Sequence, residues 1–178
     1  MEFLEKDLEE IIYNAYKDYP IGDSPLYEKG LDINGFIKRQ VRVGDYGVAD
    51  LVTLEKGFSH QIYPFFENCY HIGKNNIEYE KAIRITVYEL KKDKIGISAF
   101  LQAVNYAKGI KEFLLKRGYS TNQIDLRIVL IGKTVDVSGS FIFLTDLFYQ
   151  ISFYTYKYDF NGIYFTEEKD YRMNNPKF

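Results

Sequence analysis

The sequence contains no tryptophan, one cysteine, two histidines, two methionines and four prolines in 178 residues. The lone cysteine, Cys69, excludes an internal disulfide framework and fits a reducing, cytoplasmic setting. Cys69 with His60 and His71 does not have the spacing of a zinc site, which takes four ligands in tight pairs. No stretch approaches the roughly 20 consecutive apolar residues of a membrane span. The opening MEFLEKDLEEII is acidic and amphipathic, unlike a secretory signal, so no membrane partner is expected. Internal repeats and low-complexity runs are missing. So are a glycine-rich phosphate loop and a Gly-x-Ser-x-Gly elbow; DVSGS (136–140) reads as a turn.

What is present suits one folded domain spanning 1–178 with a full core. Hydrophobic residues make up 46% and charged residues 27%, the balance of a globular chain and not of a disordered one. The net charge of −2 does not advertise nucleic-acid binding, but its distribution is uneven. From Lys81 to Arg117 nine basic residues face three acidic ones, enough for a local basic surface on an acidic protein. Aromatic content is carried by 17 Tyr and 14 Phe, concentrated in the C-terminal third. There, FYTYKYDFNGIYF reads as core on one face and exposed Tyr on the other, which also fits base stacking or a homodimer surface.

Hydrophobic periodicity predicts a helix over 2–18, with Leu4, Leu8, Ile11, Ile12 and Ala15 at helical spacing and Tyr19-Pro20 ending it. A loop follows over 21–35. FIKRQVRV and VADLVTLE read as two strands joined by the turn GDYG. Residues 55–80 read as an insertion with some strand in it. AIRITVYELK is a clear strand, and ISAFLQAVNYAKGIKEFLLKRG an amphipathic helix with Ser98 or a neighbour at its start and Gly118 at its C-cap. DLRIVLIG is nearly continuously apolar, as expected of a strand in mid-sheet covered on both faces. SFIFLTDLFYQI leans towards helix. A strand-rich end at about 148–168 closes with a hairpin turning at Asn161-Gly162. The order predicts an α/β (α+β) architecture, a mixed central sheet flanked by helices.

Three carboxylate and lysine positions carry the chemistry. In a strand, residues i and i+2 share a face, so Glu89 and Lys91 emerge side by side while Leu90 points the other way. Asp50 lies within the otherwise apolar VADLV, where a lone carboxylate is costly to bury without compensation. If the two strands are neighbours, Asp50 and Glu89 converge and repel, and a cation relieves them. A hard divalent ion, Mg²⁺ (or Mn²⁺), suits two carboxylates with the Leu90 carbonyl as a third oxygen. Such an ion activates water and neutralises charge on a phosphodiester, with Lys91 stabilising the transition state. Gln102 and Tyr106, four apart on the next helix, share a face and can orient a carboxylate, a lysine or a phosphate.

GVAD (47–50), YELK (88–91) and QAVNY (102–106), in that order, resemble the PD-(D/E)XK nuclease superfamily, and more narrowly its branch with a Gln-x-x-x-Tyr motif after the Glu-x-Lys strand. EKDLEEII (5–12) is similar to that branch's first helix, and KRQVRVGDYGVADLV (38–52) to its strand-turn-strand. The likeness covers residues 5 to about 132. The first motif has Ala49 where the family often has Pro. The resemblance implies a restriction-endonuclease-like αβββαβ core and a metal-dependent DNA nuclease. Asp50 and Glu89 would be the metal ligands and Lys91 the catalytic lysine, with Gln102 and Tyr106 positioning the site. Glu5, or next Glu9, would support the metal. DNA, single- or double-stranded, would be the partner. The alternative expectation is a non-catalytic binding or regulatory protein on the same fold.

Overall fold

The computed structural model describes residues 3–19, 24–58, 70–72, 77–79, 81–138, 141 and 151–168. The first helix, α1 (Glu5–Tyr16), begins where acidic residues meet the helix dipole: Glu5 and Asp7 fill the first turn, and Asp7 Oδ2 accepts the Leu4 N–H at 2.8 Å. Leu8, Ile12 and Tyr16 recur every fourth residue and are buried.

The strands β1 (Phe36–Arg42), β2 (Val48–Phe58), β5 (Lys81–Leu90), β7 (Ile124–Gly132), β9 (Ile151–Asp159) and β10 (Gly162–Glu167) form one mixed sheet in the order β1-β2-β5-β7-β9-β10. Pairing is antiparallel from β1 to β5, parallel from β5 through β7 to β9, and antiparallel again at β10. The crossover between β5 and β7 carries α2 (Ile97–Lys116), so β7 is covered on both faces, as its apolar sequence requires. Two short pairs lie outside this sheet: β3 (Tyr70–Ile72) with β4 (Ile77–Tyr79), and β6 (Lys94–Ile95) with β8 (Thr134–Val135). The architecture is α+β, with α1 packed on one face of the sheet and α2 on the other.

The two faces bury separate cores. Leu8, Ile12, Leu51, Tyr88, Leu90 and Tyr156 fill the α1 side. Val87, Ala103, Tyr106, Leu130, Phe141 and Phe153 fill the α2 side. The loop at 24–33 completes the first core with Leu26, Leu31 and Ile33, and it shields the sheet edge, because Lys29 O accepts the Phe165 N–H of β10 at 2.7 Å.

Several sequence expectations shift. β2 runs on to Phe58, which pairs with Lys81, so the insertion is pinched at its base by the ladder and spans 59–80. The α2 N-cap is Gly96, with Ser98 inside the first turn. Its C-terminus is a Schellman motif: Tyr119 N–H reaches Leu114 O and Gly118 N–H reaches Leu115 O, with Gly118 at φ +93°. The closing hairpin turns at Phe160-Asn161, one residue earlier than the Asn-Gly signal suggests, and Gly162 opens β10 opposite Asp159. The leaning towards helix over 140–151 falls outside the described residues apart from Phe141, which is helical, and Ile151, which opens β9. His60 and Cys69 lie outside them too, and of His71 only its place in β3 is described. No described helix is long and apolar enough to cross a membrane.

Candidate active site

The site forms where two paired strands part. β2 and β5 pair from Phe58↔Lys81 to Leu51↔Tyr88 and then stop. Both strands continue past that point with other neighbours: β2 to Val48 against Arg42, and β5 to Leu90 against Ile131. The result is a fork with Asp50 on one prong and Glu89 on the other. The Leu90 N–H would lose its ladder partner there, and Asp50 Oδ2 accepts it instead at 2.9 Å. A side chain thus closes the gap that the diverging backbones leave.

Strand β1 shows why β2 turns away. Gln40, at the register position opposite Asp50, has φ +49°, the left-handed region that a non-glycine residue occupies at a cost of about 1–3 kcal/mol. Before it the side chains alternate: Ile37 joins the α1 core, and the Arg39 guanidinium lies 5.1 Å from the centre of the Tyr13 ring. After it Val41 and Val43 join the α2 core. Gln40 itself stays on the α1 side, where Nε2 donates to Glu9 Oε2. β2 switches faces at the same level, Leu51 lying in the α1 core and Ala49 in the α2 core. The paired kinks swing Asp50 out of the alternation.

Glu89 is 3% exposed, and Lys91 Nζ donates to its Oε1 at 2.9 Å. Its other oxygen, Oε2, is buried and has no hydrogen-bond partner among the described residues. Burial, which Lys91 only partly offsets, pushes the Glu89 carboxyl up to about 7, and the charge of Asp50 adds to this. Burial also raises Asp50, against the pull of the Leu90 N–H and Lys91. For Lys91 burial works against the ammonium, but Glu89, Glu5 and Asp50 outweigh it and hold the pKa above its usual value.

Of the remaining expected residues, Tyr106, Glu5 and Glu9 lie close enough for charge to act between them and this pair. Tyr106 is buried and packs against Gly47; burial and the charges of Glu89 and Asp50 raise its hydroxyl. Gln102, one turn earlier on α2, is exposed. Glu5 Oε1 accepts the Lys92 N–H at 3.3 Å, and its charge acts on Asp50, Glu89 and Lys91. Glu9 is 7% exposed and its charge acts on Asp50. The pairing of Gln40 with Glu9 has no sequence signal beyond the dipeptide Arg39-Gln40, because a glutamine does not announce a positive φ.

Among the described residues no group of three or more His, Cys, Asp or Glu side chains is placed to hold a metal ion. The donor set that does converge fits a hard cation, since Mg²⁺ is usually held through one or two carboxylates and retains several waters. The buried, unpartnered Glu89 oxygen is the kind of atom that a cation or a proton must satisfy. The chain matches no family model, no curated protein and no solved structure.

The Gln40–Glu9 contact predicts coupling. Gln40→Ala leaves a buried carboxylate oxygen without its donor and is expected to cost about 1–3 kcal/mol, whereas removing both partners in Gln40→Ala/Glu9→Ala costs less than the sum. Urea denaturation of the two single variants and the double variant measures it. Additivity within about 0.5 kcal/mol would mean that the contact contributes nothing.

Proposed function

We propose that the chain is a metal-dependent deoxyribonuclease of the PD-(D/E)XK type, with a restriction-endonuclease-like core of α1, β1, β2, β5, α2 and β7. The observation that carries this reading is the buried, unpartnered Oε2 of Glu89 beside Asp50 at the strand fork, with the Lys91 ammonium 2.9 Å from the other oxygen of the same carboxylate. A strand fork brings two carboxylates and a lysine together with little conformational freedom, as electrostatic catalysis on a phosphodiester requires.

Asp50, Glu89 and the Leu90 carbonyl would hold Mg²⁺ or Mn²⁺, which when bound supplies the Lewis acidity that activates water and offsets phosphate charge. Lys91 is kept protonated by its carboxylate neighbours and offers its charge to the phosphate oxygens as negative charge builds there. Asp50 is tied to Leu90 through one oxygen, which fixes the direction of the other. Tyr106, with Gln102 one turn away, borders the site from α2 and orients the substrate backbone. Glu9, held by Gln40, and Glu5, held by Lys92 N–H, enclose it from α1 and add the negative field that favours a cation.

Cleavage of supercoiled plasmid and of a labelled single strand in Mg²⁺, Mn²⁺ and EDTA tests this. Wild type is expected to cut in the metals and not in EDTA, and Lys91→Ala to be slower by roughly 10²–10³-fold. Equal cleavage by wild type and Lys91→Ala would discard the site. No cleavage in any condition, with no Mn²⁺-dependent rise in melting temperature, would favour a non-catalytic binding protein on this fold.

A further inference from the structure

Beside the fork, on the α2 face of the sheet, a groove of about 970 Å³ lies between β1–β2 and the C-terminal half of α2. The strand alternation makes its floor. Val52 and Leu54 of β2 and Ile85 of β5 face it, and Ile110 of α2 forms the facing wall. Two large rings stand at its edges with little cover: Phe36 of β1 is 70% exposed and Phe113 of α2 is 55% exposed. Four exposed cations, Lys38, Arg42, Lys56 and Lys116, line it against two acids, Asp45 and Glu112. Glu112 already accepts the Tyr46 hydroxyl at 3.0 Å. The Arg117 guanidinium, 5.0 Å from the centre of the Phe113 ring, adds another positive charge at that end.

The groove and the candidate site lie along the same face of α2. Tyr106, Gly109, Ile110 and Phe113 recur on one face of α2 at three- and four-residue steps. The charges of Glu89 and Asp50 act on Tyr106, and Gly109, Ile110 and Phe113 line the groove, so roughly 10 Å of helix separates the site from Phe113. An apolar floor flanked by exposed rings and an excess of exposed cations is what an unstacked nucleic-acid strand requires, with bases against rings and phosphates on lysines. A duplex keeps its bases stacked inside and has no use for the apolar floor.

We propose that this groove holds a single strand of nucleic acid leading into the Asp50–Glu89–Lys91 site, its bases against Phe36 and Phe113 and its backbone on Lys38, Arg42, Lys56 and Lys116. The proposal rests on the nuclease reading and specifies its substrate as a strand whose bases are free.

Fluorescence anisotropy in EDTA, where no cutting interferes, measures it with a labelled oligothymidylate of about 20 nucleotides, a duplex of the same length and a polyglutamate peptide. Phe36→Ala/Phe113→Ala is expected to bind the oligothymidylate roughly ten-fold or more weakly than wild type. Lys38→Glu/Lys56→Glu is expected to weaken it further and to flatten its salt dependence. Lys17→Glu/Lys157→Glu, with the same change of charge outside the groove, is expected to weaken it much less. All the substituted side chains are exposed, and circular dichroism confirms that each variant is folded. The proposal is overturned if the folded ring variant binds like wild type, if the two charge variants are equally weak, or if duplex or polyglutamate binds more tightly than the oligothymidylate. Cleavage separates the two readings. Ring-dependent binding of a strand left uncut in Mn²⁺ discards the nuclease and keeps the groove; cutting with ring-independent binding does the reverse.

Discussion

Glu89→Gln is expected to raise the melting temperature at pH 8 while lowering cleavage by at least about a hundred-fold. Two opposite effects of one atom substitution follow from the same burial. The folded state holds the Glu89 proton up to about 7, while an unfolded chain releases it near the ordinary 4.5. Between those values the folded state binds the extra proton, so this carboxyl makes the wild type less stable as pH rises from about 4.5 to 7, and the loss is complete above. Its size is on the order of 3 kcal/mol, about 2.5 pH units at roughly 1.4 kcal/mol each. Asp50, raised in the same direction, adds to the slope.

A glutamine keeps the shape and can still accept from Lys91, but never ionises. The variant should therefore lose most of the slope and melt roughly 5–10 °C above wild type at pH 8, with little difference at pH 4.5. On the metal-dependent reading proposed above, adding Mn²⁺ should narrow the gap from the other side, raising wild type more as pH increases, because a metal ligand must be deprotonated. Melts at four pH values with and without Mn²⁺ decide it. A variant that melts below wild type at pH 8 would show that Glu89 is a structural ion-pair residue and not a destabilised functional one.

Gly30→Ala should unfold the protein, or come close to it, although residue 30 is far from the site in sequence. Gly30 has φ +92°, and a Cβ there would lie 2.1 Å from the carbonyl oxygen of Phe165. That oxygen belongs to the backbone of β10, and the same segment is bound to the loop through the Phe165 N–H and Lys29 O, so neither side can yield cheaply. Displacing the loop exposes Leu26, Leu31 and Ile33 and uncovers the sheet edge. The expected loss exceeds about 3 kcal/mol, or more than roughly 6 °C in melting temperature. Gly118 supplies the control. Its φ of +93° is nearly identical, yet an added Cβ meets nothing within 4 Å. Gly118→Ala should thus cost only the backbone strain of about 1–2 kcal/mol. Equal losses in the two variants, by urea denaturation, would refute the clash.

The helices, the central strands and their order were legible because each carries a period: every fourth residue apolar in α1, a continuous apolar run in β7 and a glycine past the basic end of α2. The pairing of Glu89 with Lys91 was equally legible, since two residues on one strand two apart share a face whatever the rest of the fold does. β1 was not. Ile37, Val41 and Val43 alternate in the sequence as though they lined one face, but the positive φ of Gln40 sends Ile37 to the α1 core and the two valines to the α2 core. The turn of the last hairpin also moved by one residue, because strand register and not the Asn-Gly dipeptide set which residues pair.

The types of α1, the central strands, α2 and the closing hairpin, with the polar residues on the strand ends, were readable from the chain alone, since periodicity and strand geometry act over a few residues. Where β2 leaves β5, that Asp50 replaces a ladder partner for Leu90, and that one Glu89 oxygen is buried without a partner among the described residues came from the packed fold. Those facts depend on packing between segments about 30 to 40 residues apart, where burial and strand divergence, not local preference, fix a side chain's environment.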